Sequence, residues 1–399
     1  MKKQKVSVER RNFIKKGVAG LAGAAVLPAV LRSEEKKPII YRTLGKTGIK
    51  LPIVSMGVMN ADNPKLVEAA LDAGILHLDT AHVYQRGKNE EMVGQVIKNR
   101  PRDSYVLATK VVGSNADRKT GLYTEKTTAE DFIKNFEISL KRLGLEYVDI
   151  LYLHSAKRKE AVLFEPLMGA LQKLKKQGKT RFVGVSTHRN EAEVLRAAAD
   201  SKVYDVVLTA YNFKHANLAE LEKAIAYAAG KGIGIVAMKT QAGVYWDKEK
   251  QNPINMKAAL KWALQNKNVH TAIPGFTTFD QLSLDISVME DLTLTPKEKE
   301  DLQLGKKAKL AGLYCQQCEK CMPQCGRDFD IPTLMRSYMY AYGYKNLALA
   351  KETFAAAELS KLPCTDCNNC SVTCTMGFNV REKILDIARI QDVPADFLA

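Results

Sequence analysis

A chain of 399 residues can hold one large core with an appended module, or two to three ordinary domains. With 46% hydrophobic and 26% charged residues, it is neither a disordered nor a fibrous chain. Its formal net charge of +16 is concentrated at one end: residues 1–37 hold ten Lys/Arg and three Glu, which leaves +9 for the rest. That remainder has no Arg-rich run interleaved with aromatics, so no nucleic-acid partner is expected.

In chain order, Lys2, Lys3, Lys5, Arg10, Arg11, Lys15 and Lys16 form a basic start. Gly17–Leu31 then gives fifteen apolar or small residues, fewer than the about 20 a membrane-spanning helix needs. The stretch "RRNFIKK" resembles a twin-arginine export signal, with Ile14 in place of the usual Leu and Glu9 where Ser or Thr is commoner. The resemblance implies a protein exported already folded, with cofactors inserted, to the periplasm. The membrane is then met only through the export machinery. A Sec signal, or a basic amphipathic start to the domain, is the alternative.

From residue 50 short β-branched runs alternate with helical patterns. The spacing predicts strands at Ile53–Met56, Ile75–Thr80, Tyr105–Lys110, Val148–His154, Arg181–Ser186, Val206–Tyr211, Gly234–Lys239 and Thr271–Pro274. Eight strands with helices between them match an α/β fold, a (β/α)8 TIM barrel, over residues 38–291. No G-x-G-x-x-G follows an early strand, which disfavours a dinucleotide-binding open sheet.

In such a barrel the functional residues cluster at the carboxyl ends of strands and in the loops after them. Asp79, Lys110 and His154 end their strands, and Tyr84 lies in the loop after the second. Together with "YRTLGKTGIKLPIVSMG", "DTAHVY", "ATK", "YLH", "VGVS" and "IPG", these residues resemble the aldo-keto reductase family over roughly residues 39–290. The resemblance implies a catalytic tetrad of Asp79, Tyr84, Lys110 and His154. It also implies a nicotinamide coenzyme, NADP or NAD, and a small carbonyl or alcohol substrate such as a sugar. The chemistry agrees: hydride reduction of a carbonyl needs a proton donor at the developing alkoxide, and a tyrosine beside a cation is suited to it.

Coenzyme contacts are expected from Ser186, Met238, Lys239, Pro274, Gly275 and Gln281. Several depart from the family pattern. Thr187 follows Ser186 where Asn is usual, Met238 stands where an aromatic often stacks, and Gly275 and Gln281 stand where Lys and Arg often take the 2′-phosphate.

Residues 292–312 read as a linker opening with a helix capped near Thr295. All eight cysteines follow it. Cys315, Cys318, Cys321 and Cys325 are spaced C-x2-C-x2-C-x3-C, and Cys364, Cys367, Cys370 and Cys374 repeat the spacing. That pattern is specific for four-iron clusters, in which three close thiolates and the fourth cysteine of the other set serve each cluster. It predicts two [4Fe-4S] clusters, one on Cys315, Cys318, Cys321 and Cys374, the other on Cys364, Cys367, Cys370 and Cys325. Zinc and disulfides are the alternatives, and neither requires a three-plus-one arrangement twice over. The intervening segment reads as two helices broken near Gly343, and resembles a small α-helical ferredoxin-like domain over residues 313–399.

Taken together, the expectation is an oxidoreductase whose coenzyme can be tightly bound and whose clusters exchange electrons with a redox partner protein. Two alternatives stand beside it: an ordinary reductase with structural clusters, and an electron carrier whose barrel is only a docking scaffold.

Overall fold

All eight expected strands form, and the sheet they make closes on itself. The computed structural model describes residues 38–398 apart from 118–119, 328, 358, 360–363 and 368. The expected export signal, residues 1–37, lies outside the described residues. An antiparallel hairpin, β1 (Tyr41–Thr43) and β2 (Lys50–Pro52), comes first. The barrel strands follow as β3 (Met56–Gly57), β4 (His77–Asp79), β5 (Val106–Val111), β6 (Val148–Leu153), β7 (Thr180–Thr187), β8 (Val206–Ala210), β9 (Gly234–Met238) and β10 (Thr271–Ala272). Each pairs in parallel with the next. A parallel bridge between Val54 and Ala272 completes the ring, with the Ser55 N–H donating to the Ala272 carbonyl at 2.8 Å. The first strand is therefore displaced from Ile53–Met56, because residues 53–55 pair across the seam with β10 and not with β4.

The hairpin is an addition to the sequence expectation. It floors the barrel: Leu44, Ile49 and Leu51 are buried in one cluster with Ile150, Val206 and Val236. Gly45 makes that approach possible. Its φ is +51°, and a Cβ there would stand 2.4 Å from the Gly232 oxygen.

Period-two alternation along the strands decides what reaches the mouth. In β6, Ile150 and Tyr152 belong to the inner cluster while Leu151 and Leu153 pack outward against helices. In β8, Val206 and Leu208 face in and Val207 faces out. Gly184 of β7 leaves space for Tyr152, whose Cδ1 would lie 2.5 Å from a Cβ there. Polar residues of the same inner parity, placed one step beyond the apolar layer, therefore converge at the carboxyl end.

The segment at 292–312 is folded onto the barrel. A helix, Pro296–Leu302, starts at Thr295 in a reciprocal capping box with Glu298. Glu298 also receives the buried Lys261 ammonium at 2.9 Å, and Leu294 and Leu302 pack with Trp246 and Ile254. The cysteine module that follows is helical: Ile331–Tyr338, a π-helical turn over Met339–Gly343, Leu347–Ala355 and Val380–Ala388. The break near Gly343 falls where the sequence puts it. Barrel and module form one compact unit. Among the described residues no helix is long and apolar enough to cross a membrane.

Candidate active site and cysteine cavities

Asp79 ends β4, and Lys110 lies two residues beyond the inner Ala108 of β5. His154 continues the inward series of Ile150 and Tyr152. Tyr84 opens a 3-10 turn, Tyr84–Gly87, in which Gln85 and Arg86 adopt left-handed backbone angles. The structure brings these four expected residues together. Lys110 Nζ donates to Asp79 Oδ1, to the Thr80 carbonyl at 2.6 Å and to the Tyr84 hydroxyl at 3.3 Å. An ammonium has three N–H bonds, so these three acceptors satisfy it fully. The Tyr84 and His154 rings meet edge-on with centroids 5.9 Å apart.

Burial dominates the electrostatics. It pushes the Asp79 carboxyl and the Tyr84 phenol above their ordinary values, and the Lys110 charge opposes it at both. At Lys110 burial works against the charged form, but Asp79 and Tyr84 outweigh it, and the ammonium is held above the usual lysine range. Burial, reinforced by Lys110, pushes His154 down to about 3. Near neutral pH the centre thus holds a cationic lysine, a protonated phenol and a neutral imidazole. The phenol is the group with a proton to give, and the lysine is placed to stabilise the phenolate left behind.

The expected coenzyme contacts lie around the same rim with unequal freedom. Ser186 Oγ accepts the Ser155 N–H at 2.8 Å, fixing the loop after His154. Met238 ends β9, half-buried. The Pro274 carbonyl accepts from Gly57 N–H at 3.1 Å, and Gly275 beyond it is exposed. Gln281 Oε1 is engaged by the Thr277 N–H at 2.8 Å, which ties it into its own turn. Lys239 points elsewhere: its ammonium sits 5.6 Å from the Tyr314 ring, in the cysteine module.

Sequence reasoning missed how the module covers the mouth. Arg189, buried after β7, donates to Gln317 Oε1 at 3.1 Å and to Glu319 Oε1 at 2.7 Å, both between Cys315 and Cys321. Arg158 reaches Glu319 Oε2 at 3.1 Å, and Gln316 Oε1 accepts the Ala216 N–H at 2.6 Å. The first cysteine loop is thus gripped by loops after β6, β7 and β8. Tyr340, in the π-helical turn, is close enough to act on the Tyr84 phenol, and Arg336 reaches Gln317 Oε1 at 3.5 Å. No local motif marks Arg189 or Tyr314, since their partners lie far away in sequence, Gln317 for the first and Lys239 for the second.

The cysteines line two cavities. One is bordered by Cys315, Cys318, Cys321 and Cys374, the other by Cys325, Cys364, Cys367 and Cys370. This is the three-plus-one crossing that the spacing predicts. Gln324 ties the two loops together, accepting from Ser371 Oγ at 2.6 Å and from Thr373 N–H at 2.7 Å. Among the described residues no three His, Cys, Asp or Glu side chains converge tightly enough for a single metal ion. Four thiols spread round a cavity suit a polynuclear cluster better than one zinc ion. Burial pushes the Cys315 thiol up to about 11 and Cys364 to about 11, so thiolates here call for a cationic core.

The model of the aldo/keto reductase family matches residues 50–258, and that of the 4Fe-4S dicluster domain matches residues 314–379. L-galactose dehydrogenase of Arabidopsis thaliana is 28% identical over 307 residues, covering 66% of this chain and 92% of the relative. An uncharacterized oxidoreductase of Bacillus subtilis, YqkF, is 34% identical over 154 residues, 37% of this chain and 49% of its own. An aldo-keto reductase of Bacillus halodurans superposes with a TM-score of 0.54 at 22% identity, covering 67% of this chain and 96% of that one. An aldo-keto reductase from Klebsiella pneumoniae, solved in complex with NADPH, gives 0.51 at 22% identity, covering 66% and 95%.

Proposed function

Because the chain belongs to the aldo/keto reductase family and carries a 4Fe-4S dicluster domain, we propose that the barrel interconverts a carbonyl and an alcohol while the module exchanges electrons with a partner protein. A bound nicotinamide would supply or accept the hydride. Tyr84 donates the proton to the developing alkoxide, Lys110 stabilises the resulting phenolate and Asp79 holds Lys110. His154, neutral and set edge-on to Tyr84, hydrogen-bonds the carbonyl oxygen and orients it. The single observation behind this reading is the Lys110 ammonium joined at once to Asp79 and the Tyr84 hydroxyl at the barrel mouth.

Ser186, Met238, Pro274 and Gly275 would hold the coenzyme at the rim, with Gln281 shaping the turn beside Gly275. The likeness to L-galactose dehydrogenase supports a sugar or related polyhydroxy compound as substrate. The two cysteine cavities would each hold a [4Fe-4S] cluster, which would supply one-electron chemistry. The assembled tetrad weighs against a barrel reduced to a docking scaffold. The twin-arginine-like start supports export in folded form to the periplasm, with the coenzyme carried inside and recycled in place.

Replacing Tyr84→Phe is expected to lower kcat by about 10²–10⁴-fold with the visible absorption of the clusters unchanged. Turnover at the parent rate would refute the assignment. For the carried coenzyme, the exported protein is purified anaerobically, denatured and assayed for nicotinamide against iron. About one nucleotide per eight irons is the expected result, and iron without nucleotide removes the idea.

A further inference from the structure

Lys239 combines two costly features at one position. Its backbone φ is +56°, a left-handed value that a lysine seldom adopts without compensation. Its Nζ is buried and has no hydrogen-bond partner among the described residues. A buried ammonium without a counter-charge is unfavourable by several kcal/mol. Among the described residues no carboxylate bonds to it, and Glu191 favours its charge only from a distance. Glu191 faces His215 at 3.5 Å, while Glu319 and Asp330 face Arg189 at 2.7 and 3.6 Å. The contrast with Arg189 is informative, since that equally buried cation is held by Gln317 Oε1 at 3.1 Å and Glu319 Oε1 at 2.7 Å.

The Lys239 ammonium instead lies over the ring of Tyr314, whose chain neighbour is Cys315. Cys315 borders the cavity shared with Cys318, Cys321 and Cys374, on the side that Arg189 and Gln316 fasten to the barrel. Four thiolates around an iron–sulfur core leave a net negative charge, and reduction adds one electron to it. A fixed cation nearby favours the reduced form. We propose that Lys239 is the electrostatic partner of the cluster on Cys315, Cys318, Cys321 and Cys374, and that it raises the reduction potential of this cluster but not of the other. This rests on the two-cluster reading above. It makes Lys239 a positioning residue that acts on the cluster from the carboxyl end of β9, and it turns the barrel mouth into part of the redox module.

The experiment is a dithionite titration of the anaerobic holoprotein followed by electron paramagnetic resonance. The parent protein must show eight-iron content and two reducible signals, assigned with Cys318→Ser and Cys370→Ser; failure at this step refutes the two-cluster reading itself. Given two signals, Lys239→Met is expected to lower the midpoint of the Cys315-side signal alone, and Lys239→Arg to restore it. Selective loss of that cluster from Lys239→Met, with the other retained, supports the proposal equally. Unchanged midpoints overturn it, and so do equal shifts of both. Loss of both clusters from Lys239→Met and Lys239→Arg alike indicates a packing role and also overturns it. Nicotinamide affinity is measured on the same samples. Weaker coenzyme binding with unmoved midpoints would assign the missing anion to a coenzyme phosphate and likewise overturn the proposal.

Discussion

The Lys110 ammonium is met entirely by the chain: three N–H bonds find three oxygens, and the walls are strand side chains in register. Around the cysteines the provision is sparse. Cys315 accepts one backbone N–H from Gln317, at 3.4 Å, and Cys374 one from Met376, at 3.4 Å, while Cys370 stands exposed. The supporting cores differ in the same way. The barrel is packed by a broad layer between strands and helices, whereas the module relies on a small cluster about Ile331, Leu334, Phe354 and Ile384. A centre completed by its own chain stands without help. A module with a small core and two ringed cavities depends on what fills them.

The strongest way to break this comparison is to strip the iron. Chelation under reducing conditions is expected to abolish the module's thermal transition and leave the barrel's standing, read by calorimetry and by the near-ultraviolet signal of Trp246 and Trp262. One joint collapse of both parts would show that the barrel depends on the module. Next in size, Lys110→Met leaves the buried Asp79 unpaired and should cost the barrel roughly 3–5 kcal/mol in denaturant unfolding. A loss below 1 kcal/mol would mean that Asp79 is satisfied in some other way.

Third, His77 of β4 is buried with neither ring nitrogen hydrogen-bonded, and burial lowers it to about 4. The unfolded chain binds a proton near pH 6.5 that the fold excludes until about pH 4. Stability from this residue is therefore intact above 6.5, falls as pH drops, and is lost below 4. The window is worth roughly 3 kcal/mol. His77→Leu should flatten the stability profile between pH 6.5 and 4, and an unchanged slope would count against it. The smallest effect is expected at the exposed bridge from barrel to module, Arg86 to Glu352 at 2.5 Å, with side chains 83% and 50% exposed. Arg86→Ala should change stability by less than about 1 kcal/mol. A larger loss would make this corner a true docking contact, alongside the buried Arg189.

Much of this protein could be read before any fold was seen. Strand-length apolar runs at eight places, inner-parity Asp79, Lys110 and His154 at their ends, and two identical cysteine spacings are local patterns. Local patterns survive in sequence because a strand's two faces and a cysteine loop's reach are set within a few residues. The helix cap at Thr295 and the break near Gly343 were legible for the same reason. Other features exist only once distant segments meet. The hairpin floor needs Gly45 to touch Gly232, and the seam pairs Val54 with Ala272. The first cysteine loop is seated by Arg189, and Lys239 turns to Tyr314 and away from the open rim. These contacts join residues separated by some seventy to more than two hundred positions. Spacing along the chain does not encode such proximity. It arises when the barrel closes and the module settles on its mouth, where burial fixes which charges have partners and which do not.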